Sequence, residues 1–250
     1  MRLQSIANLI QRVDIVTENG FTAIPDQDWE AADARLTARA LEVVDEALSD
    51  PASVAHLVTY YSRDGNYAGA TFLELDPVSP WDITASDLLS LTLLSVQAQP
   101  HSVRRLLQPS AERNHVLRLI SEDRLPLDAD LAMADATTLL AMAELHEAFK
   151  AYLSPAHVKL KNPWVTASKL CARKRPDLFP VRDSVVCRLL GLGRNYQVDW
   201  QIFRRIIQEN EIRERLDRLT DAAAAAGADV GHPNRRLRHL DVLLWMHARA

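Results

Sequence analysis

At 250 residues the chain is long enough for one large domain or two small ones, each with a real core. Its 48% hydrophobic and 25% charged residues are ordinary for a soluble globular protein, and no window approaches the roughly eighteen apolar residues of a membrane-spanning helix. A net charge of −4 argues against a polyanion partner only until its distribution is considered.

From residue 150 to 205 there are twelve Lys or Arg and three Asp, so this segment carries +9 and the remaining residues −13. Such asymmetry predicts a basic face with an anionic partner, unless the charges point in several directions from short helices. Glycine is scarce, at 7, while Leu and Ala are abundant, which favours helix. Cys171 and Cys187 lie outside any CxxC spacing and read as reduced thiols of a cytoplasmic protein. The opening MRLQSIANLIQRVDIVTENG lacks the pattern of a secretion signal, so none is expected.

In chain order, Asp28 to Asp50 has apolar residues at helical spacing, stopped by Asp50-Pro51. Ala55 to Leu75 has β-branched and aromatic residues on either side of Asp64-Gly65, which predicts a short hairpin over about 55–75. DPVSPWD is a loop, and TASDLLSLTLLSVQ opens with Thr84 and Asp87 at capping-box spacing. That apolar helix is expected to be buried on most sides. Three or more helices follow from Pro100 to Leu153. Asn162-Pro163 predicts a helix start with Asn as N-cap and Pro at N1, and Pro176 predicts its end. DLFP turns the chain, DSVVCRLLG restarts a helix, and Gly191 terminates it. DWQIFRRIIQENEIRERLDRLTDAAAAAG and RRLRHLDVLLWMHARA read as the last two helices. The expectation is a single, mainly α globular domain over 1–250. Its N-terminal part, 1–100, carries the hairpin, and its helical part, 101–250, carries the basic segment.

Asp183 stands where LFPVRD delivers the chain into a helix, a position that suits a carboxylate because backbone N–H groups and the helix dipole meet it there. An N-cap role alone is the simpler reading. The stretch ASKLCARKRPDLFPVRDSVV nevertheless resembles the region of helix-hairpin-helix DNA glycosylases that leads from the second hairpin helix to the catalytic aspartate. Asp183, Ser184 and Val186 match the end of that pattern, and Ala167 lies sixteen residues before Asp183. The chain is also similar throughout to an uncharacterised bacterial family sharing the YYSRDGNYAGATF and NPWVTASKL blocks.

The glycosylase resemblance implies a helix-hairpin-helix glycosylase-like C-terminal half. It also implies a DNA partner and hydrolysis of an N-glycosidic bond, with Asp183 steadying the positive charge that develops on the sugar. The hairpin equivalent, KNPWVTA, has none of the glycines that let backbone N–H groups approach a phosphate. Val165 occupies the position where bifunctional members carry a catalytic lysine, so base removal without strand cleavage is expected. Lys169, one turn further on, is a candidate for catalysis, for a phosphate contact, or for an ion pair.

Around this centre, Lys159, Lys161, Asn162, Arg173, Lys174, Arg175 and Arg182 are the candidate nucleic-acid contacts. Tyr61, Arg63, Asp64, Asn66, Tyr67 and Trp164 are candidates for a base pocket, which needs stacking faces and edge readers. The alternative for the tyrosines is packing, favoured for Tyr60. The eight histidines form no HxxxH or Cys/His cluster, so no metal site is expected. GxSxG, P-loop and GxGxxG motifs are absent, and no cofactor is expected. The rival readings are a non-catalytic nucleic-acid-binding or interaction protein in stress or phage defence, and a module that docks an acidic protein through Lys159 to Arg175.

Overall fold

The computed structural model describes residues 29–62, 64–154, 163–193 and 195–250. Among them lie eleven α-helices, one 3-10 turn and no strand. The first half comprises α1 (Ala34–Ser49), α2 (Ser53–Tyr61), the 3-10 turn (Ala68–Thr71), α3 (Ala85–Leu93), α4 (Pro100–Leu107), α5 (Ala111–Leu119) and α6 (Ala136–Leu153). The second comprises α7 (Trp164–Lys174), α8 (Ser184–Leu189), α9 (Tyr196–Gln208), α10 (Asn210–Ala225) and α11 (Arg236–His247). No helix among the described residues is long and apolar enough to cross a membrane.

The predicted hairpin is replaced by helix. Ser53, Leu57, Tyr60 and Tyr61 are the buried residues of α2, spaced at the helical period rather than the strand period. They face α10 and α11, so tertiary burial overrides the β preference of Val, Thr and Tyr. Asp64-Gly65 does make a turn, with Gly65 N–H donating to the Ser62 carbonyl at 3.0 Å, but the turn leads from α2 toward the 3-10 element.

Other boundaries follow local chemistry. Thr84 and Asp87 form the predicted capping box at the start of α3. α7 begins one residue later than the Asn-Pro signal implies, with Pro163 as its N-cap. It ends at Lys174, ahead of Pro176. The long segment read as one helix before the alanine run is divided at Glu209, whose extended backbone (φ −70°, ψ 113°) caps α9 and precedes α10.

α7 and α11 form the interior. α7 packs on α6 and α3, and α11 on α1, α2, α8 and α10. Buried residues run without a break from Ala167 to Lys174 in α7 and from Leu237 to Leu244 in α11. The cations in α7 are therefore internal, which corrects the expected exposed basic face. Arg173 Nε donates to Asp87 Oδ1 at 3.1 Å, and Lys174 Nζ donates to Asp87 Oδ2 at 2.8 Å. Arg173 also reaches the Phe72 and Leu75 carbonyls, and Lys174 those of Ser79 and Asp82. Arg175 serves the carbonyls of Ile120, Leu125 and Pro80, beneath the ring of Trp81. These side chains satisfy the irregular segments before α3 and between α5 and α6, where buried carbonyls need donors. Both cysteines are buried free thiols.

Candidate functional site

Phe179, Pro180 and Val181 are buried, and Arg182 then takes a left-handed backbone conformation (φ 54°), unusual without glycine. Its guanidinium holds that geometry from inside. Nε donates to Asp199 Oδ2 at 2.8 Å, NH1 donates to Ser168 Oγ at 3.1 Å, and the group lies 4.8 Å from the centre of the Trp164 ring. Burial raises the Asp199 carboxyl above its ordinary range, partly opposed by Arg182. Arg182 is thus an internal clamp rather than a phosphate contact.

The clamp presents Asp183 as the N-cap of α8. One oxygen, Oδ1, accepts from Val185 N–H at 2.9 Å, and the other, Oδ2, accepts from Lys169 Nζ at 3.1 Å. The Lys169 side chain is 3% exposed and also donates to the Leu94 carbonyl at 2.8 Å, which makes it a buried ion-pair partner. Asp183 keeps 21% exposure and opens onto a cavity of about 410 Å³. Ser95, also on the cavity wall, has φ 59°. Together with Arg182 it accounts for the positive-φ non-glycine residues among those described, and strained backbone of this kind costs about 1–3 kcal/mol per residue.

Part of the cavity wall is aromatic. Tyr60 and Tyr67 stack with centroids 5.2 Å apart and planes 16° from parallel, and Trp245 stands nearly perpendicular to both. Arg238 lies beneath, donating to the Tyr60 hydroxyl at 2.6 Å and the Gly69 carbonyl at 2.8 Å while pairing with Asp241 Oδ2. Asp241 borders the same cavity. Burial pushes its carboxyl up to about 6, against the pull of Arg238, and Asp183 adds to the rise. Its Oδ1 is buried without a hydrogen-bond partner in the protein. Two carboxylates, Asp183 and Asp241, thus share a cavity with two cations and three aromatic rings.

Of the predicted pocket residues, Asn66 and Tyr67 line this cavity. Tyr61 does not. It is buried behind Tyr60, edge-on to Tyr60 and His239, with its hydroxyl raised by desolvation. Trp164 is taken up by Arg182, and Asp64 is exposed on the turn and does not border the cavity. Arg63, Lys159, Lys161 and Asn162 lie outside the described residues.

The sequence reading missed Asp241, Arg238 and Trp245. Their signal was present, since RLRHLDVLLWMH places charged and aromatic side chains at 238, 241 and 245, one helical face of a segment otherwise rich in leucine. Among the described residues, no group of three His, Cys, Asp or Glu is placed to hold a metal ion.

Neither curated proteins nor solved structures give a match to this chain. A family model does match, over residues 53–248, which takes in α2, the cavity and α11. The chain is a member of the family of unknown function DUF6308.

Proposed function

We propose that the cavity holds a modified base of DNA while Asp183 acts at the sugar, so that the protein hydrolyses the N-glycosidic bond and leaves an abasic site. The observation that carries this reading is that Asp183 is not sealed inside its helix cap. It opens onto an aromatic-walled cavity of about 410 Å³, a size that suits a small planar ligand. As the C1′–N bond breaks, its electron pair leaves with the base and positive charge builds on the sugar. A fixed carboxylate at that point stabilises the charge and orients a water whose oxygen bonds to C1′. The base takes up a proton, and the water's proton passes to Asp183 and then to solvent.

Lys169 anchors that carboxylate. Its amine already serves two acceptors, Leu94 O and Asp183, which supports hydrolysis without lyase chemistry. Tyr67 and Trp245 supply stacking faces, a requirement for an extruded base.

The test is incubation with oligodeoxynucleotides carrying varied modified bases, followed by alkali. The expected result is cleavage only after alkali, with Asp183→Asn slower by about a hundredfold or more. Strand breaks before alkali contradict the monofunctional chemistry, and an active Asp183→Asn protein removes the aspartate from it.

A second reading, a non-catalytic binding protein, is favoured by one observation: Asp183 is charge-matched by Lys169 at 3.1 Å. Ligand retention in the cavity without any abasic product supports that alternative.

A further inference from the structure

We infer that the hydroxyl of Ser95 binds the sugar ring of the cavity's occupant, on the side where Asp183 stands. This rests on the reading that a sugar lies at Asp183, though not on bond cleavage.

α3 ends in a pattern of hydrogen bonds that calls for glycine. Val96 N–H donates to the Leu91 carbonyl at 3.1 Å, and Ser95 N–H donates to the Thr92 carbonyl at 3.0 Å. In this paired closure the residue after the helix cap, here Ser95, turns left-handed. Glycine takes that conformation freely because it has no Cβ, whereas a serine there is strained. Ser95 nevertheless holds φ 59°. The turn is closed by backbone groups alone, so the serine side chain adds nothing to it. That side chain belongs to an exposed residue on the cavity wall, and among the described residues its hydroxyl has no hydrogen-bond partner. A residue held in an unfavourable conformation beside a ligand cavity points to a constraint from function rather than from folding.

Lys169 fixes where this turn stands. Its ammonium donates to the Leu94 carbonyl at 2.8 Å and to Asp183 Oδ2 at 3.1 Å, so the end of α3 and the carboxylate are tied to one nitrogen. Ser95 follows Leu94 directly, which sets the turn beside Asp183. The stacking rings Tyr67 and Trp245 come from other parts of the chain. A base stacked on those rings with its sugar at Asp183 therefore brings the sugar to Ser95. A hydroxyl both donates and accepts, which suits the ring and hydroxyl oxygens of a furanose. Being neutral, it leaves the Lys169–Asp183 pair undisturbed.

The experiment is calorimetric titration of the full chain with hypoxanthine and with 2′-deoxyinosine, the same base without and with its sugar. The wild-type protein is expected to bind the nucleoside more tightly than the base. In Ser95→Gly and in Ser95→Ala the nucleoside should weaken by about fivefold, the worth of one hydrogen bond, while affinity for the base is kept. Ser95→Gly also relieves the backbone, so its melting temperature should rise by about 2–4 °C. Ser95→Ala keeps the strained turn, and the same loss in both variants assigns the effect to the hydroxyl.

Wild-type affinity for the nucleoside in either variant overturns the inference. Equal loss of base and nucleoside does so too, as does failure of both to bind the wild-type protein at millimolar concentration. A Ser95→Gly melting temperature at or below the wild-type value removes the strain and the inference with it. Loss of the nucleoside preference in the variants, without abasic product from any DNA, removes the proposed hydrolysis and leaves this inference in place. Abasic product formed equally well by wild type and Ser95→Gly does the reverse.

Discussion

Asp87 shows how one residue carries several duties in this protein. It closes the capping box of α3 and neutralises both Arg173 and Lys174 in the interior, at 1% exposure. Removing one partner of a buried pair leaves uncompensated charge, so Asp87→Ala should lower unfolding free energy by about 3–5 kcal/mol in urea titration. A loss below 1 kcal/mol would mean that the two cations find water instead. At Asp241 the effect is in its pH dependence. Its carboxyl is raised from the ordinary 3.8 to about 6 in the fold, so between those values the folded protein holds a proton that the unfolded chain has released. Stability from this group is fully present below about 3.8 and is lost as pH rises through about 6. Asp177, Asp199 and Glu74 are raised too, so the informative measurement is the difference between proteins. Between pH 4 and 6 the stability of Asp241→Asn should fall less steeply than that of the wild type. Parallel curves would show that Asp241 titrates alike in both states.

At the scale of elements, the 3-10 turn depends on a missing side chain. A Cβ on Gly69 would collide with the Tyr60 hydroxyl and the Leu94 side chain, both part of the cavity wall. Gly69→Ala is expected to cost about 1–3 kcal/mol by overpacking. It should also weaken nucleoside binding, because Tyr60 must shift. Unchanged denaturation and titration curves would show that the wall yields freely. The neighbouring α2 shows why element type was hard to read. Tyr60-Tyr61 and Val58-Thr59 have strand propensity, and a β-branched, aromatic run ahead of Asp-Gly is a sound hairpin signal. What decides is where the apolar groups can be buried, and α10 and α11 offer a surface that only a helical stripe fits. The break at Glu209 carries no glycine or proline and so gave no local sign of itself.

For the whole molecule, the basic segment contributes more to folding than its composition implies. Arg173, Lys174, Arg175 and Arg182 bind loops and carboxylates inside the protein rather than facing a polyanion. Each true phosphate contact removed from a DNA complex lowers the salt dependence of binding by about one unit in slope. The expected outcome for Arg173→Ala is a less stable protein whose residual oligonucleotide binding keeps the wild-type slope, read from affinities over a salt series. A slope reduced by one would return this residue to the surface.

Composition and spacing determined much on their own. The helical class, the capping box at Thr84 and Asp87, the end of α7 before Pro176 and the N-cap at Asp183 are all local, set by backbone donors and by residues within a turn of each other. The cavity was not local. Asp183 and Asp241 are separated by α8, α9, α10 and the first turn of α11, and Tyr60, Lys169 and Arg238 come from three different elements. Whether a charged side chain faces water or a buried carbonyl depends on which loops pack over it, and nothing in its neighbouring residues records that. Only the tertiary arrangement could turn a cationic run into an internal scaffold and leave one aspartate open beside a second.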